Sequence, residues 1–137
     1  MPSSHPPARA FMKAVWELER SRSTESIMKL FVQDARLDTV ALPSPLVGLG
    51  PIEQFWKDYL SHFKQIATSF NHAIDTPAIT IVEWHSDGAL ADGTPIHYRG
   101  ITLLGWDGTQ IKSFKAYYDS AAFVPEYEKH LKRAPRA

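Results

Sequence analysis

The segment WDGTQIKSFKAYYDS, residues 106–120, reads as a tight turn followed by a strand, and its natural partner is the run IHYRGITLLGW just before it. Asp107-Gly108 supplies the positive φ angles that a hairpin turn needs. Two registers follow. With Asp107-Gly108 as the whole turn, His97 opposes Tyr118, Arg99 opposes Ala116 and Ile101 opposes Phe114, so that His97, Arg99 and Tyr118 share a face. With Thr109 drawn into the loop, His97 opposes Asp119 and Arg99 opposes Tyr117. The first register is preferred, because a threonine in the left-handed region is strained.

Outward from the hairpin, a period of two persists back to Ala67. TSFNHAID, AITIVEWHSDGAL, TPIHYRGITLLGW and TQIKSFKAYYD are strand-like runs punctuated by Pro77, Asp92-Gly93 and Asp107-Gly108, which predicts an antiparallel meander. Before Ala67 the spacing is helical. GLGPIEQFWKDYLSHFKQI sets Pro51 at a first helical position and carries an apolar stripe of Ile52, Phe55, Trp56, Tyr59, Phe63 and Ile66. AFMKAVWELERS aligns Phe11, Val15 and Leu18, and STESIMKLFVQD makes a second short helix with Ser23 as N-cap and Ile27, Leu30 and Phe31 as its apolar edge. ARLDTVAL is a short strand closed by PSP. The pattern is α+β: three N-terminal helices packed on a curved, mostly antiparallel sheet that leaves a conical cavity between the layers. The Pro-rich residues 1–9 read as a disordered lead, 10–124 as one domain, and 125–137 as a C-terminal helix or tail with acidic residues first and basic residues last.

The 137 residues carry 15 basic and 15 acidic side chains, a balance that argues against nucleic acid as a partner. No cysteine is present, which excludes disulfides, thiolate metal sites and cysteine nucleophiles. No apolar run approaches the roughly 18 residues of a membrane span, so the expectation is a cytoplasmic protein with no membrane partner. Scattered histidines without an HExxH helix, no phosphate-binding loop and no GxSxG elbow leave cofactor-free and metal-free proton transfer as the remaining style of catalysis.

LFVQDARLD, GLGPIEQFWKDYL, EWHSDGALADGTPIHYRGITLL and WDGTQIKSFKAYYD together resemble the nuclear transport factor-2-like superfamily, in its SnoaL-like polyketide cyclase and ketosteroid isomerase-like branch. The resemblance runs from about Phe11 to Phe123. It implies a cone-shaped α+β barrel with a pocket between helices and concave sheet, a small apolar molecule as ligand, and a homodimer formed through the outer sheet face. It also places Phe114, Ala116 and Tyr118 on the concave side. Ketosteroid isomerases carry a general-base Asp late in the first strand and a Tyr on the first helix, and the matching positions here are Thr39 and Val15. Limonene epoxide hydrolase has an Asp where this chain has Ala116.

The expected catalytic groups are His97 as proton carrier, Tyr118 as oxyanion donor and Asp38 as base, the last only if a bulge turns it inward, since one residue along a strand reverses side-chain direction. Arg99 would hold a carboxylate or enolate charge. The competing reading has His97 and Arg99 serving only the sheet surface. Trp16, Phe55, Tyr59, Phe63, Trp84 and Phe114 are expected as core residues that double as ligand walls. Two functions stay open: isomerisation, cyclisation or dehydration of a carbonyl compound by acid-base chemistry, or a non-catalytic ligand-binding or dimerisation module.

Overall fold

The structure, a computed structural model, describes residues 6–123. Helix α1 (Pro7–Ser21) and the single turn α2 (Glu25–Met28) precede strand β1 (Phe31–Thr39). The two-residue strand β2 (Leu46–Val47) and helix α3 (Leu49–His62) follow, and then the long strands β3 (Phe63–Asp75), β4 (Ile79–Leu90), β5 (Pro95–Asp107) and β6 (Gln110–Tyr118), closed by a 3-10 turn at Ser120–Phe123. This is the expected α+β architecture, with three helices against a curled sheet of order β2-β1-β6-β5-β4-β3. All pairings are antiparallel except β1 with β6.

Three boundaries differ from expectation. The first helix begins at Pro7, inside the segment expected to be disordered, because proline suits a first helical position. The second helix stops after one turn: Ile111 N–H donates to Leu30 O (2.5 Å), and the Gln110 amide reaches Lys29 O (3.2 Å), so β6 draws the chain into a strand. The third helix ends at His62, not Ile66, and Phe63 and Ile66 enter the core from β3. The C-terminal helix expected over 125–137 lies outside the described residues.

The early end of α3 has a visible cause. Arg22, the residue after α1, sits in the left-handed region at φ 60° and gives its N–H to Leu18 O (2.9 Å). That turn aims its guanidinium at the end of α3, where Nη2 donates to Leu60 O (2.7 Å) and Phe63 O (3.0 Å). One side chain thus adds a charged donor to the Leu60 carbonyl, which also accepts the Phe63 N–H, and to the first carbonyl of β3.

The sheet bends at irregular pairings, between Phe63 and Gln65, between Phe70 and His72, and opposite Gly105 and Trp106. Its concave side and the two long helices enclose a core in which Leu18, Ile27, Leu37, Ile52, Leu104 and Ile111 are fully buried. Among the described residues no helix is long and apolar enough to cross a membrane. Replacing the terminal clamp by Arg22→Met removes two hydrogen bonds from a charged donor, and urea denaturation should read a loss of about 1–2 kcal/mol.

Candidate functional site

The cone holds one large cavity of about 450 Å³ between α1, α3 and the concave sheet. Its walls are aromatic and come from every layer: Phe11 from α1, Phe55 and Trp56 from α3, Trp84 from β4, and Phe114 and Tyr118 from β6. Ala41, Asp58, His62 and Ser120, exposed residues of the lining, mark its mouth.

Trp84 lies across β5 at Gly100, which has no side chain. A Cβ on Gly100 would fall 2.7 Å from Trp84 Cζ2 and 2.4 Å from the Tyr117 carbonyl oxygen. The gap lets the indole Nε1 reach Thr102 Oγ1 (2.9 Å). Trp56 differs, since its Nε1 is buried without a hydrogen-bond partner among the described residues.

One stretch of the wall is polar, and it is built on a residue with no place in the sequence-based expectation. Glu19 follows Phe11 and Val15 on the inward face of α1 at helical spacing. Its Oε2 accepts from Tyr59 Oη (2.7 Å) and Thr68 Oγ1 (2.5 Å), and its Oε1 accepts the Thr68 backbone N–H (2.8 Å). Thr68 Oγ1 also meets Ser86 Oγ at 2.6 Å. Thr68, Ser86 and Tyr59 line the cavity, whereas Glu19 stands behind them.

Burial pushes the Glu19 carboxyl above its ordinary range, and the hydrogen bonds from Thr68 and Tyr59 pull it partly back. Burial also raises the Tyr59 phenol well above its usual value, helped by the neighbouring Tyr98 and Glu19 charges. Tyr98 is raised by burial first, and by Tyr118 and Glu19 next. These phenols therefore stay neutral at physiological pH and act as hydrogen-bonding groups.

Of the residues expected to carry chemistry, Tyr118 lines the cavity and His97, Arg99 and Asp38 do not. The reason is register. Asp107 pairs with Gln110, so the turn is Gly108-Thr109, with Gly108 at φ 64° supplying the only positive φ and Thr109 unstrained. Lys112 is then an extra residue, and Tyr118 comes opposite Gly100 instead of His97. The offset is odd, which turns His97 and Arg99 to the convex face and leaves Tyr98 on the concave one. There His97 Nδ1 contacts Asp87 Oδ1, its cross-strand neighbour.

No bulge reverses Asp38. It pairs with Lys115 and borders a second depression of about 300 Å³, while Thr39 lines both this and the main cavity. Among the expected wall residues, Phe55, Tyr59, Phe63, Trp84 and Phe114 line the cavity. Trp16 does not, because it stands one residue past Val15 on α1; it is 45% exposed and donates Nε1 to Thr68 O (2.9 Å). Among the described residues no cluster of histidine and acidic side chains forms a metal site.

Glu19 and Tyr98 were recoverable from sequence. A carboxylate four residues after Val15 on an apolar stripe is an anomaly that calls for partners. Tyr98 emerges once the hairpin is shifted by an odd number.

No family model and no curated protein matches the chain. Solved structures do. An NTF2-like protein from Anabaena variabilis superposes with a TM-score of 0.75 at 16% identity, over 85% of this chain and 89% of its own. A protein with a ketosteroid isomerase-like fold from Catenulispora acidiphila, solved in complex with trimethylamine, gives 0.73 at 18% identity, over 82% and 87%. A SnoaL-like protein from a Jannaschia species gives 0.71 at 12% identity, over 93% and 94%. The fold is that of the NTF2-like proteins, as the sequence resemblance implied.

Two outcomes follow from this geometry. Gly100→Ala forces Trp84 off Thr102, with an expected loss of about 1–3 kcal/mol in urea denaturation and a change in near-UV circular dichroism from the displaced indole. Because the folded state holds the Glu19 proton more tightly than the unfolded chain, stability falls as pH rises from the ordinary glutamate range through the raised value. Glu19→Gln removes that slope, so the difference between wild type and variant should shift in favour of the variant between acid and neutral pH.

Proposed function

We propose that the protein binds a small, flat, largely apolar organic molecule between α3 and the concave sheet. The supporting observation is the cavity itself: about 450 Å³, walled by aromatic rings, with neutral hydroxyls gathered at one stretch of its wall. Such a site stabilises a ligand by apolar burial and orients it with a few hydrogen bonds. The trimethylamine held by the Catenulispora acidiphila protein supports a small-molecule role for this fold. Binding is favoured over the acid-base mechanism expected from sequence, because only Tyr118 of its proposed groups lines the cavity. Cofactor-free isomerisation, cyclisation or dehydration stands as the second reading, favoured by one observation: Glu19 is a proton-holding group a single hydroxyl away from the cavity.

The test is titration with naphthol and other bicyclic aromatics, read by isothermal calorimetry. Trp84→Ala should weaken binding about tenfold or more through lost wall area. His97→Ala and Asp38→Ala should leave the dissociation constant unchanged. Loss of binding in His97→Ala but not in Trp84→Ala would remove the reading.

The convex face fits a homodimer. Ile101 and Tyr117 are neighbours there and are 42% and 52% exposed. Arg99 and Lys115 share that face with Glu83 and Asp87, so a two-fold pairing can match opposite charges. Ile101→Glu should convert a dimer to a monomer in analytical ultracentrifugation. A cytoplasmic setting belongs to the same proposal and draws on the cysteine-free composition.

A further inference from the structure

A hydroxyl can donate or accept until something fixes where its hydrogen points, and in this cavity Glu19 fixes several at once. Each Ser, Thr or Tyr hydroxyl has one hydrogen to give. Tyr59 and Thr68 give theirs to Glu19 Oε2, at 2.7 and 2.5 Å. Thr68 then has none left for Ser86, so in their 2.6 Å contact Ser86 is the donor. Every hydrogen of the chain runs toward the carboxylate.

We infer that Glu19 sets the polarity of the ligand: by drawing the hydrogens of Tyr59, Thr68 and Ser86 to itself it makes this stretch of wall a row of acceptors, which selects an apolar molecule bearing a neutral hydroxyl, such as a phenol. The inference rests on the small-molecule reading above. A phenol donates to the Tyr59 or Ser86 oxygen and keeps its own lone pairs for Tyr118, whose hydroxyl has no fixed partner among the described residues. An ether or ketone in the same place meets acceptors with acceptors and leaves buried groups unpaired. A carboxylate is rejected more strongly. Asp58 stands at the mouth and Glu19 behind the wall, against only His62 among the lining side chains that can carry positive charge. Trp56 Nε1 does not alter this balance, since protein atoms cover it.

Glu19→Gln reverses the arrangement. Its amide nitrogen donates to Tyr59 or Thr68, and their hydrogens, with that of Ser86, become free to turn into the cavity. Thr68→Val is the second variant: it frees the Ser86 hydrogen while Glu19 and Tyr59 keep their bond.

The experiment measures, on the full chain above neutral pH, the dissociation constants of naphthol, methoxynaphthalene, acetylnaphthalene and naphthoate by calorimetry, for wild type and both variants. Wild type should prefer naphthol over methoxynaphthalene by about tenfold or more, and bind naphthoate weakest. In Glu19→Gln that preference should fall to unity or invert as acetylnaphthalene gains, and Thr68→Val should move it the same way by less. Equal affinity of wild type for all four probes overturns this inference alone. So does a variant that weakens all four by a common factor, as a merely structural role for Glu19 would. Failure of every probe to bind wild type overturns the small-molecule reading and this inference with it.

Discussion

The pairing of β5 with β6 governs which side chains meet inside the cone. A strand shows alternate residues to opposite faces, so an odd change of register exchanges the whole set. The turn at Gly108-Thr109 and the extra residue Lys112 put Gly100 opposite Tyr118, and Leu104 opposite Phe114. That choice clears the space over Gly100 into which Trp84 settles, and it lines up Tyr98, Thr102 and Ala116 on the concave side. In any register shifted by one, Arg99 would enter the apolar cavity and Tyr98 would leave it. An unpaired guanidinium there would be costly, so burial itself enforces the observed pairing.

Glu19 is the polar counterpart of that constraint. A carboxyl group removed from water is tolerated only when its lone pairs are used, and here α3 and β3 each supply donors to it. The bonds therefore tie α1 to two other elements while confining polarity to one part of the wall. Removing Glu19 also leaves Tyr59 and Thr68 with hydrogens that need new acceptors, and for that reason structural and recognition roles are physically joined in this residue.

The layers and the order of elements were legible because period and punctuation agreed: helical stripes before Ala67, alternation after it, and Gly or Pro at the turns. Element ends were less so. Phe63 and Ile66 continue the α3 stripe in sequence, yet a contact from Arg22, some forty residues earlier in the chain, ends the helix before them. The wall residues Phe55, Tyr59 and Phe63 were readable from the apolar stripe, whereas the inward side of Phe114 came from the family resemblance and that of Trp84 was left open by alternation alone. His97 and Arg99 were misplaced because their facing depends on a single bulge, the extra residue Lys112 opposite Gly105 and Trp106. Local sequence leaves two turns of different length open at Asp107-Gly108, and the structure takes neither: the two-residue turn moves on to Gly108-Thr109 and Lys112 is bulged.

The two faces of the sheet also divide the chemistry. The histidines His72, His85 and His97 and the carboxylates Glu83 and Asp87 gather on the convex side, where His72 Nδ1 meets Glu83 Oε1 at 2.5 Å. The concave sheet surface keeps hydroxyls, indoles and phenyl rings, with Glu19 reaching it from α1. The ionisable side chains of the convex side are thus exposed to solvent on the outside, while the interior gathers hydroxyls around one buried carboxylate. On the proposed reading, a ligand in this cavity is held by neutral groups, and the ionic groups of the sheet stay outside it. Recognition inside and association outside can then vary independently, because alternate residues of the same strands carry them.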